Sequence, residues 1–309
     1  MIFSDTKEES SNDEENFMAS AGCFRWSFSF RKSDGESRNP RQFEDNSVGQ
    51  WVEVGGGRSV FVRRLGSPQG PVILLESGIN SFSLRVDPLV QALAKVAHVI
   101  SYDRFTYGLS YAPVDKPSLK QAALDTKALV DALGVAKPFI YVGYSLGAVY
   151  AAHFSLEFPD SLHSLVLVDP PLLGKVSPSL SRVEEAFLPQ NLDAMFGYPR
   201  IKYELGGLVK NRDGVTRIGK SYKHIAMTSL ERRYMIHLVG EVPWMRLPKK
   251  LPLLVLTNGF LNKQGQQFQK EITESVDVGR HVILKDAHHM SFVEKNHAGK
   301  VAQLVRWAL

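Results

Sequence analysis

The stretch FIYVGYSLGAVYAAHFSLEF, Phe139 to Phe158, changes character at its middle. Phe139 to Val142 is a short apolar run rich in β-formers, while Leu146 to Phe158 carries helical periodicity, so Ser145 falls where strand gives way to helix. Gly143 and Gly147 flank it, and a side chain at either would collide with neighbouring backbone in so tight a turn. This is the pattern of a nucleophile elbow, with a serine hydroxyl exposed on a strained turn beside a helix N-terminus. Gly-x-Ser-x-Gly is short and arises by chance. It gains meaning only if the chain also supplies a base, an acid to orient that base and an oxyanion hole, each at the end of a strand.

Upstream of the elbow, the aliphatic run Val72 to Leu75 predicts a strand covered on both faces, ending in Glu76-Ser77-Gly78-Ile79-Asn80. A helix over Pro88 to Ala97, a strand over His98 to Tyr102 and the loop Asp103 to Ser110 follow. Ser118-Leu119-Lys120-Gln121 has capping-box spacing and opens an apolar stripe that stops at Gly134, a favourable residue just past a helix end. Further upstream, Trp51 to Val54, a triple-glycine turn and Ser59 to Leu65 read as an antiparallel hairpin.

Downstream, Leu165 to Val168 is another aliphatic strand, closed by Asp169-Pro170-Pro171. The strand and helix rhythm then lapses between Leu172 and Lys250 into helical segments with several aromatics, which predicts an inserted cap. It resumes with a strand over Leu253 to Leu256, a helix near Gln266 to Glu274, a strand over His281 to Leu284 and a last helix from Asn296. Strands alternating with helices imply a mostly parallel sheet flanked by helices, with ligands at the carboxyl ends of the strands.

With 309 residues, 44% hydrophobic and 22% charged, the chain can bury one sizeable core. The formal charge of +5 is scattered, and no basic run or nucleic-acid motif accompanies it, so no nucleic-acid partner is expected. Cys23 is the only cysteine, which rules out a disulfide within the chain and is compatible with a reducing, cytoplasmic setting. No apolar run approaches the roughly 20 residues needed to span a bilayer. Residues 1–46 are polar and aperiodic and are expected to be a disordered extension, leaving 47–309 as one domain with the helical lid at 172–250. Met18 is an alternative start, and the aromatic and basic stretch Phe24 to Lys32 reads either as a solvated tail or as a targeting element.

The base must be a histidine beyond the last strand, and Asp286-Ala287-His288-His289-Met290 supplies two candidates. Neighbours in sequence rarely chelate one ion, and neither a His-Glu-x-x-His helix nor a cysteine cluster accompanies them, so no metal is expected. The elbow, the loop Tyr102 to Ser110, the strand Leu165 to Pro170 and His289 with Glu294 together resemble the α/β-hydrolase superfamily, and within it the lid-bearing serine hydrolases of the esterase type. The resemblance covers Gln50 to Leu309. It implies the α/β-hydrolase fold, an eight-stranded mostly parallel sheet with its second strand antiparallel and a lid inserted after strand six. It further implies His289 as general base and the backbone N–H groups of Ile79 and Leu146 as oxyanion hole, although Glu76-Ser77-Gly78 replaces the usual His-Gly form. Asp103 and Arg104 read as a buried ion pair or turn bonds, and Glu294 as support for the last helix.

The acid has two candidate positions. In many relatives it follows strand seven as Gly-x-x-Asp, where this chain has Gly259-Phe260-Leu261-Asn262, and Asn262 carries no charge. Other branches carry it after strand six, where this chain has Asp169, the favoured candidate. The implied chemistry is hydrolysis of a small, apolar ester by Ser145, His289 and Asp169 without cofactor. Two alternatives stay open: amide, lactone or carbon–carbon bond hydrolysis on the same triad, or a binding protein that kept the pocket and lost turnover. The oligomeric state is not encoded in these patterns.

Overall fold

A computed structural model of the chain describes residues 49–104, 107–112, 116–171, 219 and 222–309. The expected extension 1–46 lies outside these residues, as does the expected lid over 172–218. Eight strands form one sheet: β1 (Gln50–Glu53), β2 (Ser59–Leu65), β3 (Val72–Glu76), β4 (His98–Tyr102), β5 (Phe139–Tyr144), β6 (Leu162–Val168), β7 (Leu253–Asn258) and β8 (Gly279–Leu284). Their order is β1-β2-β4-β3-β5-β6-β7-β8. β2 runs antiparallel to both its neighbours and every pairing from β4 to β8 is parallel.

The described helices are α1 (Asp87–Leu93), α2 (Leu119–Ala132), α3 (Leu146–Glu157), α4 (Tyr222–Glu241), α5 (Lys263–Glu274) and α6 (Lys295–Val305). The period of two in the strands sorts the core into two layers. Leu74, Tyr141, Leu165, Leu167, Leu253 and Val255 face one way, packing with α2, α3 and the end of α4. Their alternates Ile73, Leu75, Ile140, Val142, Val166, Val168, Leu254 and Leu256 face α1 and α6. A sheet covered on both faces needs aliphatic residues at every position, which is why these strands read as continuous apolar runs.

The local signals of α2 are realised. The Ser118 hydroxyl accepts from the Gln121 N–H, and Gly134 takes a φ of 61° just past the helix. Gln121 does not close the box; its amide donates instead to Asp125 at 2.8 Å. α1 is shorter than the sequence suggests. After Ala94 N–H bonds Val90, the bonds tighten to Lys95 on Ala92 and Val96 on Leu93, so the helix unwinds into a turn leading to β4. Of the expected lid, residues 222–241 are helical, and Leu238 and Val239 enter the core beside α3.

The chain leaves β3 for β4 on one side and later returns to β5 on the other. The sheet's switch point therefore lies between β3 and β5, and the carboxyl ends of the strands there are where sheets of this kind bind ligands.

Candidate active site

Ser145 follows β5 directly and is the residue before α3. Its φ of 54° is one of only three positive values among the described non-glycine residues; the others are Asn80 (53°) and Asp169 (50°). All three lie beyond the carboxyl ends of strands, so backbone strain gathers at that edge of the sheet. The turn is held by the Ser145 N–H on the Val168 carbonyl at 2.9 Å and the Asp169 N–H on Leu256 at 2.7 Å, which carry the sheet's ladder one residue past each strand. A Cβ on Gly143 would lie 2.5 Å from the Gly147 carbonyl oxygen, and one on Gly147 would lie 2.5 Å from that of Glu76. Backbone thus fills the space on both sides of the serine.

The structure brings the three sequence-predicted side chains into one line. His289 Nε2 lies 2.9 Å from Ser145 Oγ, and His289 Nδ1 lies 2.5 Å from Asp169 Oδ2. A carboxylate only accepts, so Nδ1 carries the proton and Nε2 is left free to accept from the serine hydroxyl. Asp169 is deeply buried, its side chain 4% exposed, while that of His289 is 44% exposed. Asn262 is elsewhere in role: its Oδ1 accepts the Gly265 N–H at 2.8 Å and caps α5.

Of the two expected oxyanion donors, Leu146 directly follows the serine, and Ile79 follows Gly78, which lies against it. A Cβ on Gly78 would lie 2.9 Å from Ser145 Cβ, so only glycine lets the loop after β3 come this close. Leu146 is the first residue of α3, where an N–H has no acceptor within the helix. His288 does not join its neighbour; its ring stacks on Phe260 at 4.0 Å. Among the described residues no three His, Cys, Asp or Glu side chains are grouped to hold a metal ion. Glu294 occupies the cap position of α6 without a side-chain cap bond, so its expected support of that helix comes through its backbone carbonyl alone.

Comparison with known proteins agrees with this fold. Residues 70–200 match the model of the α/β hydrolase fold family. An esterase of Thermogutta terrifontis superposes with a TM-score of 0.63 at 17% identity, covering 84% of this chain and 97% of that one. The chain has the α/β-hydrolase fold. An enol-lactonase of Burkholderia xenovorans superposes about as well, with a TM-score of 0.61 at 18% identity over 83% of this chain and 98% of that one. At such identities the likeness is one of fold and does not select a bond. Among curated relatives, 2-(acetamidomethylene)succinate hydrolase of Mesorhizobium japonicum is 31% identical over 125 residues, 40% of this chain. The matched stretch spans 44% of that relative's length.

Several side chains of this site were not legible in the sequence. Asn258, the last residue of β7, donates its side-chain amide to Asp169 Oδ1 at 3.0 Å and Oδ2 at 2.9 Å, and its backbone N–H to Oδ1 at 3.1 Å. Tyr144 lies under the His289 ring with centroids 5.2 Å apart, and its hydroxyl donates to the His289 carbonyl at 2.9 Å. Beneath the loop after β3, Arg104 joins Glu76 at 2.6 Å and Glu231 of α4 at 3.0 Å. This bears out the buried ion-pair reading of Arg104, although its partner is not Asp103. Asp103 instead accepts the Ser83 N–H at 2.7 Å and the Leu109 N–H at 2.8 Å. Burial opposes the Arg104 charge, but the two carboxylates outweigh it and hold the guanidinium more firmly protonated than usual. The one available hint was Glu76, a carboxylate closing an aliphatic strand, since a charge so placed must be paired.

Proposed function

We propose that this protein is a serine hydrolase that cleaves small carboxylic esters through an acyl-enzyme. The observation that carries the reading is the unbroken run of hydrogen bonds from Ser145 Oγ through His289 to the buried Asp169. Ser145 Oγ bonds to the ester carbonyl carbon as its proton passes to His289 Nε2, and Asp169 stabilises the imidazolium that forms. The N–H groups of Ile79 and Leu146 receive the oxyanion. Collapse breaks the bond to the alkoxide, which leaves with the proton from His289. Water then yields a proton to His289 and its oxygen to the acyl carbon; the ester to Ser145 breaks, Ser145 regains the proton and the carboxylic acid departs.

A carboxylate beside His289 weighs against the binding-protein alternative, which calls for the uncharged Asn262 in that place. The test is labelling with a fluorophosphonate together with hydrolysis of p-nitrophenyl butyrate, wild type against Ser145→Ala. Labelling and turnover that both require Ser145 are expected. A wild type that neither labels nor turns over, or a Ser145→Ala protein that still labels and turns over, overturns the proposal.

A further inference from the structure

Arg104 is more than half of an ion pair. A guanidinium has five N–H donors in a rigid plane, and each finds an acceptor here. Nε bonds Glu231 Oε1 at 3.2 Å and Nη2 bonds Glu231 Oε2 at 3.0 Å. Nη1 bonds Glu76 Oε1 at 2.6 Å and the Ser77 carbonyl, and the second Nη2 proton goes to the Gly78 carbonyl at 3.2 Å. Two carboxylates would suffice for an ion pair. What they do not explain is why two consecutive backbone carbonyls, at 77 and 78, also point at the same cation.

The second of those carbonyls belongs to the peptide unit that carries the Ile79 N–H. A trans peptide is planar, with its C=O and N–H pointing in opposite directions. Holding the Gly78 oxygen on Arg104 therefore turns the Ile79 N–H away from the guanidinium. The loop is pressed against the nucleophile at this point, since a Cβ on Gly78 would lie 3.4 Å from Ser145 Oγ. A cation on the carbonyl also polarises the amide and makes its N–H a better donor. Glu231 extends the same grip to the next residue: it accepts the Tyr107 hydroxyl at 2.7 Å, and that hydroxyl accepts the Asn80 N–H at 3.4 Å.

We propose that Arg104, clamped by Glu76 and by Glu231 of α4, is a positioning residue for the oxyanion hole, fixing and polarising the 78–79 peptide so that the Ile79 N–H meets the developing oxyanion. The inference rests on the serine-hydrolase reading above. It also makes the seating of α4 a condition for turnover, because Glu231 supplies two of the five acceptors.

Arg104→Lys keeps the charge but has three donors for five acceptors. Because it strands buried carboxylates, it is paired with R104M/E231Q, which removes one charge of each sign and leaves Glu76 with the hydroxyls of Tyr102 and Tyr141. Each variant is assayed with p-nitrophenyl butyrate, kcat being referred to sites titrated with fluorophosphonate. Affinity is measured for a trifluoromethyl ketone, which forms a tetrahedral oxyanion on Ser145, and for the matching methyl ketone, which binds without one. Loss of an oxyanion donor lowers kcat by about 100-fold or more. The expected result is such a loss at nearly unchanged KM, with trifluoromethyl ketone affinity falling in step and methyl ketone affinity unmoved. A purely structural role would lower the fraction of titratable sites and leave kcat per site and the ratio of the two ketone affinities intact. That outcome in either variant overturns the inference while the hydrolase reading stands; a wild type without Ser145-dependent turnover overturns both.

Discussion

Replacing Asp169 by asparagine tests the site most sharply, because Asn258 dictates how the new amide must sit. Asp169 Oδ1 accepts from both the Asn258 backbone N–H and its side chain, whereas Oδ2 accepts from the side chain alone and faces His289 Nδ1. In Asp169→Asn the oxygen is retained where the backbone N–H needs an acceptor, so the NH₂ turns toward His289. An NH₂ there donates to Nδ1 and drives the imidazole into the tautomer whose Nε2 carries hydrogen and cannot accept from Ser145. Two losses combine. The carboxylate and imidazolium charges are centred about 4 Å apart, and at an effective dielectric of about 20 their attraction is about 4 kcal/mol, roughly 10³ in rate. With the wrong tautomer added, the fall reaches the roughly 10⁴ characteristic of the same change in a Ser-His-Asp triad. Asp169→Ala loses the attraction alone and leaves the tautomer free, so it should retain more activity than the asparagine variant. The assay is kcat on p-nitrophenyl butyrate at neutral pH, with thermal unfolding to verify that each variant is folded. A folded Asp169→Asn enzyme within tenfold of wild type, or an alanine variant slower than the asparagine one, would refute the reasoning.

Three further outcomes are expected. Asn258→Leu removes the amide that bonds both Asp169 oxygens; hydrogen bonds to a charged group contribute about 1.5–3 kcal/mol, so kcat should fall roughly 10- to 100-fold with the Asp169 backbone contact retained. Gly147→Ala places a Cβ 2.5 Å from the Glu76 carbonyl oxygen and 2.6 Å from that of Ser77, and urea unfolding should show a loss of about 1–3 kcal/mol at unchanged slope. His224 gives a pH signature: its Nε2 lies 3.0 Å from Asn80 Oδ1 and its Nδ1 accepts the Gly108 N–H, and burial, with nearby Arg85, Lys223 and Arg104, pushes it down to about 3. Because that value lies below the unfolded one near 6.5, the stabilisation is present above pH 6.5 and is lost as pH falls toward 3. Between pH 7 and pH 5 the wild type should lose about 2 kcal/mol more than His224→Gln, read from urea midpoints.

The elements most legible in the sequence were those whose cause is local. Ser118 with Gly134 bounded α2 because capping and a left-handed turn depend on a few adjacent residues. The aliphatic runs at Val72, Phe139, Leu165 and Leu253 announced strands because a doubly covered sheet admits nothing else there. α1 ends earlier than its apolar spacing suggests because its end depends on how the bonds tighten before β4, and apolar spacing carries no trace of that.

The elbow at Ser145 was determined by sequence alone, since glycines at 143 and 147 and the change of period between them are properties of a few contiguous residues. The choice of acid could not be. Asp169 and Asn262 are both polar residues just past a strand, and which one meets His289 depends on strand order and on how far each loop reaches. Only the folded sheet, with β6 between β5 and β7, sets Asp169 beside His289, puts Asn258 behind it and leaves Asn262 to cap a helix. The same holds for Arg104, whose five acceptors come from β3, the loop after it and α4, residues far apart in the chain that only tertiary packing brings around one guanidinium.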